Sequence, residues 1–467
     1  MKIFDSLQMV PMPTVTVPTF KYHLITFGCQ MNKNDSERIA GLLHSLNASA
    51  TDIAEDADLI LMNSCSVRQT AEDRIYGLAR KFTRLKEKNP NLILGITGCM
   101  PGRDKKGKMR AQLPEVDLFF PTNELHLLPS RIAALRPELV NTGEVLEDYL
   151  KIQPLRGTFG KTEGEIPSPS QAYITLSTGC NQFCTYCVVP YARGLERYRP
   201  MRDVLDEVRH SAETGAMEIT LLGQTVNRYL PADAAAALSP GNPYGNSFAA
   251  LLWEINRIPG VERIHFTAAH PLYMDDEVID ALALPKHLNY LHLPVQSGDN
   301  AILKKMNRKY THEQYLETIT KIKKRIPNIA LGTDIIVGFC GETEEQFERT
   351  MELYRAVEFD ISYHAMYSPR SGTLANKHFG DDVPRAIKKE RWKKLQTLME
   401  DSTLAKNQRY VGKTVSVLAE RFERGYLLGN SRELKLVRFP GDAAGIGKIH
   451  SARITEAKCW ILDGKNN

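Results

Sequence analysis

Nowhere in the 467 residues does an apolar run approach the length of about eighteen needed to cross a bilayer, so neither a membrane span nor a membrane partner is expected. The first twenty residues, MKIFDSLQMVPMPTVTVPTF, hold no continuous apolar stretch and are broken by Pro11, Pro13 and Pro18. They read as an extended tail rather than a secretory signal. Without an export signal the protein is expected in the cytoplasm, where its eight cysteines stay reduced. That excludes a structural disulfide framework and turns the thiols towards metal or redox chemistry. Disordered and collagen-like classes are excluded too, because 42% hydrophobic and 25% charged residues describe an ordinary globular chain, long enough for about two to four domains.

The net charge of +5 is small but uneven. From residue 405 onward 12 Lys and Arg face 6 Asp and Glu, which leaves the rest of the chain near neutral. This points to a polyanion met by the C-terminal segment, with a solvated basic surface as the alternative.

Strand and helix patterns alternate from residue 21 to about 136. Apolar runs at 22–27, 59–62 and 92–96 are separated by amphipathic segments; Asn34 and Asp35 are expected to cap the first helix, and Ala71, Ile75, Leu78, Phe82 and Leu85 mark one face of the second. A doubly wound parallel sheet follows from that order. Cys29, Cys65 and Cys99 each fall just past one of these strands, so the strand ends of a parallel sheet would gather them at one edge. Residues 151–170 are rich in Gly, Pro and Ser and read as a linker. Six further strand-like runs alternate with helical segments across 171–400, the pattern of a partial α/β barrel. Short alternating runs with turn residues between them then indicate a small all-β barrel over 401–467. The expected division is a tail at 1–20, an α/β unit at 21–150, the linker, the partial (β/α)6 barrel and the terminal β barrel.

A fourth cysteine is missing where the chemistry is densest. In STGCNQFCTYCVVPYARG, Cys180, Cys184 and Cys187 stand in a C-x3-C-x2-C spacing directly after the first strand of the expected barrel. A structural zinc site needs four closed ligands. A 4Fe-4S cluster held by only three thiolates keeps one iron open for a substrate. Zinc remains the alternative.

This loop resembles that of the radical S-adenosylmethionine (SAM) superfamily, which implies one-electron cleavage of SAM at the open iron to a 5'-deoxyadenosyl radical. From about residue 21 to 463 the chain is closer still to the methylthiotransferase family. The resemblance rests on GCQMN, NSC and TGCM around Cys29, Cys65 and Cys99, and on LHLPVQSG, KKMNRKYT, TDIIVGF, GETEEQF and YSPRSGT. It implies a second 4Fe-4S cluster on Cys29, Cys65 and Cys99, and two SAM molecules per turnover, one for a methyl group and one for the radical. NSCSVRQTAEDRIYG and CVVPYARG look like the branch that adds a methylthio group to C2 of N6-isopentenyladenosine in tRNA, next to the anticodon. Two departures concern loop geometry: Cys340 stands where the family usually has Pro, and TLA follows Gly372 where Pro is common.

The same resemblance implies SAM contacts by Tyr186 beside the nucleoside, by Gly223, Gln224 and Asn227 at the methionyl amine, by Gln296 and Ser297 at ribose or carboxylate, and by Gly338 at adenine. The terminal barrel resembles a TRAM domain, with Lys435, Arg438, Lys448 and Arg453 as candidate phosphate contacts. Arg193, Arg197 and Arg199 are candidates for a carboxylate or for phosphates, with a salt-bridged surface as the alternative. His292 reads as a core histidine and Cys459 as structural. A monomer is expected, together with an electron donor that the sequence does not identify. Rival functions are methylthiolation of threonylcarbamoyl-adenosine or of a ribosomal protein, and a non-catalytic iron-sulfur RNA-binding role.

Overall fold

A computed structural model of the chain describes residues 20–66, 69–140, 147–155 and 170–466. Residues 1–19 of the expected tail and most of the expected linker lie outside the described residues, and Phe20, the last residue of that tail, is buried in the first core.

Five parallel strands open the fold: β1 (Lys21–Phe27), β2 (Ser49–Ala50), β3 (Leu59–Ser64), β4 (Ile93–Gly98) and β5 (Leu118–Pro121), in the spatial order β2-β1-β3-β4-β5. The central strands β3 and β4 are buried at every residue, as parallel strands covered on both faces must be. Helix α1 (Gln30–Ser45) covers one face with Ile39 and Leu43, and α2 (Gln69–Lys88) covers the other with Ile75, Ala79 and Phe82, so the sheet is doubly wound. Phe27 lies opposite Ser64, and Ser64 opposite Gly98. Three strands therefore end level, and the next residues out of the sheet include Cys29, Cys65 and Cys99.

Helix α1 begins earlier than its sequence suggests. Cys29 is the N-cap, its carbonyl accepting from the Lys33 N–H at 3.1 Å while its own N–H donates to the Asn32 side chain at 3.4 Å. Asn34 and Asp35, expected as caps, are instead buried inside the helix and are free for tertiary contacts. The first residues of the expected linker also pack down: Ile152 is buried against this core, and the Leu155 N–H donates to the Glu37 carbonyl at 2.9 Å.

In the second unit β6 (Gln171–Thr175) is followed by a short antiparallel clasp, β7 (Ser177–Thr178) with β8 (Arg197–Tyr198), whose ends bracket the cysteine loop. Strands β9 (Glu218–Leu222), β10 (Arg263–Phe266), β11 (Tyr290–His292), β12 (Ala330–Val337) and β13 (Ile361–Met366) complete an arc of six. Two three-stranded parallel sheets, β10-β9-β6 and β11-β12-β13, join where Ile264 bonds the backbone of Lys286 and Leu288 at 2.7 and 2.8 Å. Among the described residues β6 and β13 do not pair, so the (β/α)6 barrel is open on one side. The helix Arg385–Gln408 runs through the boundary expected at residue 400, because its buried positions Leu395, Met399, Thr403 and Asn407 repeat without a break.

The last unit is a closed barrel of β14 (Thr414–Glu423), β15 (Tyr426–Ser431), β16 (Leu436–Pro440), β17 (Ile449–Ala457) and β18 (Leu462–Asn466), in the order β14-β15-β16-β18-β17. Its fifth strand, LDGKN, has one buried apolar residue and no legible alternation, yet its parallel pairing with β16 closes the barrel. Among the described residues no helix is long and apolar enough to cross a membrane.

Candidate active site

The cysteine positions are made by strand ends and glycines. Gly98, before Cys99, has φ +103°, and a Cβ there would meet the Ser64 carbonyl oxygen at 2.4 Å. Gly179, before Cys180, has φ +75°, with the Leu195 carbonyl at 2.1 Å from the same imagined atom. Both turns need glycine to aim the next residue away from the strand.

In the barrel loop, backbone N–H groups of Gln182 and Val189 point at the sulfurs of Cys180 and Cys187 at 3.5 and 3.4 Å, and the Arg308 guanidinium reaches the Cys184 sulfur at 3.3 Å. Burial pushes the Cys187 thiol up to about 12, with the charges of Cys184 and Cys180 acting in the same direction. Burial likewise raises Cys180, opposed by its hydrogen bonds from Gln182 and Thr225. Donors aimed at sulfur, in a pocket that resists free thiolates, fit residues whose negative charge is to be neutralised by bound metal.

The N-terminal set has the same character. Cys65 and Cys99 are buried while Cys29 is exposed, and none of the three is in a disulfide. Burial raises the Cys99 thiol, and the neighbouring Arg193 opposes that shift. Among the described residues no three His, Cys, Asp or Glu side chains close on one ion.

A cavity of about 580 Å³ lies within the barrel, and Cys29, Gln30 and Met31 at the start of α1 form part of its wall. Gly223, Gln224, Gln296 and Arg308 line the same space. A larger groove, about 860 Å³, runs along β13 from Tyr186 and Cys187 to Trp460 of the terminal barrel and borders Gln69 and Thr70 of α2. Gln296, Asp334 and Tyr363 line both. One Arg bridges the two thiolate sets in sequence and space: Arg193, six residues after Cys187, donates to the Cys99 sulfur at 3.3 Å and pairs with Asp35 at 2.6 Å.

Several residues of the expected contacts have partners within the fold. The Asn227 amide donates to the carbonyls of His270 and Tyr273 at 3.0 and 2.9 Å and accepts from the His270 N–H, so it braces the loop whose His270 lines the cavity. Ser297 is fully buried and accepts from the Asp299 N–H at 3.2 Å. Gly338 makes a turn at φ +67°, its N–H on the Glu342 carboxylate at 2.6 Å and Lys388 filling the space where a Cβ would stand. Arg199 is buried on Glu207 at 2.5 Å and donates to the Thr175 carbonyl, so it is not free for phosphate, whereas Arg197 is exposed and pairs with Asp148 at the surface. Arg193 faces a thiol rather than a carboxylate ligand or RNA.

His292 is not a core residue: half-buried, it lines the cavity with Nε2 3.2 Å from Asp334 and its ring 5.7 Å from that of Tyr363. In the terminal barrel Lys435 is buried on Asp360 at 2.9 Å and Arg438 is held by Asp463 at 2.7 Å. Lys448 and Arg453 are exposed, and among the described residues neither is in an ion pair; Arg453 stands opposite Lys465 on β18. Cys340 is buried and Cys459 donates to the Glu400 carbonyl at 3.6 Å.

Sequence reading missed Arg308, although it sits in KKMNRKYT, and it missed the buried triad that fastens the barrel beside Cys65. There Glu72 accepts from Arg103 at 2.7 and 2.9 Å and lies 3.3 Å from Arg370, which also donates to the Ser66 carbonyl. The three side chains are 3 to 7% exposed. Glu72→Gln leaves two buried guanidiniums without their anion and is expected to cost about 3 kcal/mol, read as a lower urea midpoint for the first unit. An unchanged midpoint would show the triad to be energetically neutral.

The open six-stranded barrel with its three-cysteine loop defines a radical SAM protein, and residues 174–354 match the family described as the Radical SAM superfamily. Residues 21–121 match the description Uncharacterized protein family UPF0004. The structure is similar to the radical S-adenosylmethionine methyltransferase TsrM of Kitasatospora setae, with a TM-score of 0.54 over 77% of each chain at 13% identity, a likeness of fold alone. A tRNA-2-methylthio-N(6)-dimethylallyladenosine synthase of Anoxybacillus flavithermus is 42% identical over 95% of this chain and 82% of its own length, and that of Thermoanaerobacter sp. is 41% identical over 95% and 92%. The chain belongs to the tRNA-2-methylthio-N(6)-dimethylallyladenosine synthase family.

Proposed function

We propose that the chain adds a methylthio group to C2 of N6-isopentenyladenosine in tRNA, with Cys180, Cys184 and Cys187 holding one 4Fe-4S cluster and Cys29, Cys65 and Cys99 a second. One observation carries the reading: Cys29 of the N-terminal unit and Arg308, which touches Cys184, line the same barrel cavity. The C2–H bond of adenine is neither acidic nor hydridic, beyond the reach of ordinary side-chain acids and bases. Bound clusters and two SAM molecules supply the radical, the methyl group and the route for sulfur. The protein's own share is placement and exclusion of water. Gly223, Gln224 and Gln296 hold SAM in the cavity, with Tyr186 beside it at the mouth of the groove. The groove supports entry of an unstacked nucleotide, because Tyr363 and Trp460 offer exposed rings of the kind single bases stack on. A monomer and an unidentified electron donor complete the reading.

Reduced, reconstituted protein given SAM and tRNA carrying isopentenyladenosine is expected to yield 2-methylthio-N6-isopentenyladenosine by nucleoside mass spectrometry. Product only on threonylcarbamoyl-adenosine, or none on any tRNA, would contradict it. The basic barrel adds a separate expectation. Lys448→Ala and Arg453→Ala should each flatten the salt slope of tRNA binding by about 0.7 to 0.9, the loss of one phosphate contact. Lys435→Ala should leave the slope unchanged, since that ammonium is committed to Asp360.

A further inference from the structure

Two short helices start beside the two cysteine sets and pack on each other without intervening side chains. Cys99 begins the helix Cys99–Arg103, and the helix Val189–Arg193 follows Cys187 by two residues. A Cβ on Gly102 would stand 2.0 Å from the Ala192 carbonyl oxygen, so the backbones are in direct contact. At the end of the second helix, Arg193 crosses into the N-terminal unit. Its Nε donates to the Cys99 sulfur at 3.3 Å and its Nη2 to the Asp35 carboxylate at 2.6 Å, with the Arg and Asp side chains only 2 and 3% exposed. Its Nη1 is buried and has no partner among the described residues. A buried guanidinium on a ligand sulfur is a charge that the N-terminal unit does not itself provide there.

We propose that Arg193 is a positioning residue of the N-terminal thiolate site, lent by the neighbouring barrel, whose hydrogen bond to Cys99 sets the reduction potential of the iron-sulfur cluster held by Cys29, Cys65 and Cys99. The inference rests on the reading that these three cysteines hold a cluster. Net charge and hydrogen bonds to sulfur are among the determinants of such potentials, and a donor bearing full charge is about twice as strong as a neutral one. A positive group on the sulfur favours the state with the added electron. Removing it lowers the potential. Asp35 fixes the fork in place, so the effect depends on the docking of the two units and not on the N-terminal sequence alone.

The test uses the full-length chain with Cys180, Cys184 and Cys187 replaced by alanine, so that only the N-terminal set is available to iron. Redox titration followed by electron paramagnetic resonance should give Arg193→Gln a midpoint at least about 59 mV below that of this parent, a tenfold change in the relative stabilisation of the two redox states for one electron. Arg193→Lys keeps the charge and loses the fork, and should fall between them. Arg197→Gln, on the adjoining clasp, should leave the midpoint where it was. A parent without iron would overturn the cluster reading itself. Full iron with an unchanged midpoint in Arg193→Gln, or an equal shift in Arg197→Gln, would overturn the role of Arg193 alone. Loss of iron from both Arg193 variants would also overturn the tuning role, leaving the arginine a requirement of assembly.

Discussion

Replacing Cys29, Cys65 and Cys99 together by alanine is expected to reduce the iron of the reconstituted protein from about eight to about four atoms per chain and to abolish the methylthio product, while SAM is still cleaved to 5'-deoxyadenosine. The separation follows from where the thiols stand. Cys29 lines the barrel cavity from the N-terminal unit, whereas Gly223, Gln224, Gln296 and Arg308 on the same cavity belong to the barrel. Loss of the N-terminal set therefore leaves the barrel side of the cavity, the proposed SAM site, with all of its own residues. Iron counting and chromatography of the nucleoside products read both halves in one sample. Retention of all the iron, or loss of SAM cleavage along with the product, would show that the two sets are not the separable sites described.

The reciprocal change has a larger effect on chemistry. With Cys180, Cys184 and Cys187 replaced by alanine, 5'-deoxyadenosine formation is expected to fall to background and the methylthio product to vanish with it, although about four irons remain on the N-terminal set. Cys187 is the thiol burial holds at about 12 and Cys184 carries the Arg308 guanidinium, so these sulfurs sit where ordinary side chains would leave them protonated or paired with an arginine. Cleavage of SAM at an undiminished rate in this variant would place the radical chemistry elsewhere.

How much of this was legible in the sequence depended on how local the signal was. Cys29, Cys65 and Cys99 could be placed at one sheet edge because each follows an apolar strand, and parallel strands joined by crossover helices end on the same side. The six strands of the barrel were visible for the same reason. What was not visible is the commitment of charged and polar groups to partners far away in sequence. Asp35 reads as a helix cap until Arg193, 158 residues on, is seen to hold it. Lys435 reads as a phosphate contact until Asp360 is seen beneath it. Asn227, Ser297 and Gly338 lie in stretches that resemble SAM-binding motifs, yet their hydrogen bonds go to neighbouring loops. Only the tertiary structure distinguishes a motif residue that faces the ligand from one that holds up its neighbours. The fifth strand of the terminal barrel escaped notice because LDGKN has almost nothing to bury.

The central claim is that two sets of three cysteines face one shared space. Magnetic coupling between the clusters tests it most directly: the electron paramagnetic resonance spectrum of the fully reduced protein should be broadened relative to the sum of the spectra of the two triple-alanine variants, as nearby spins require. A spectrum equal to that sum, with about eight irons bound, would place the two sites too far apart to act on one nucleotide.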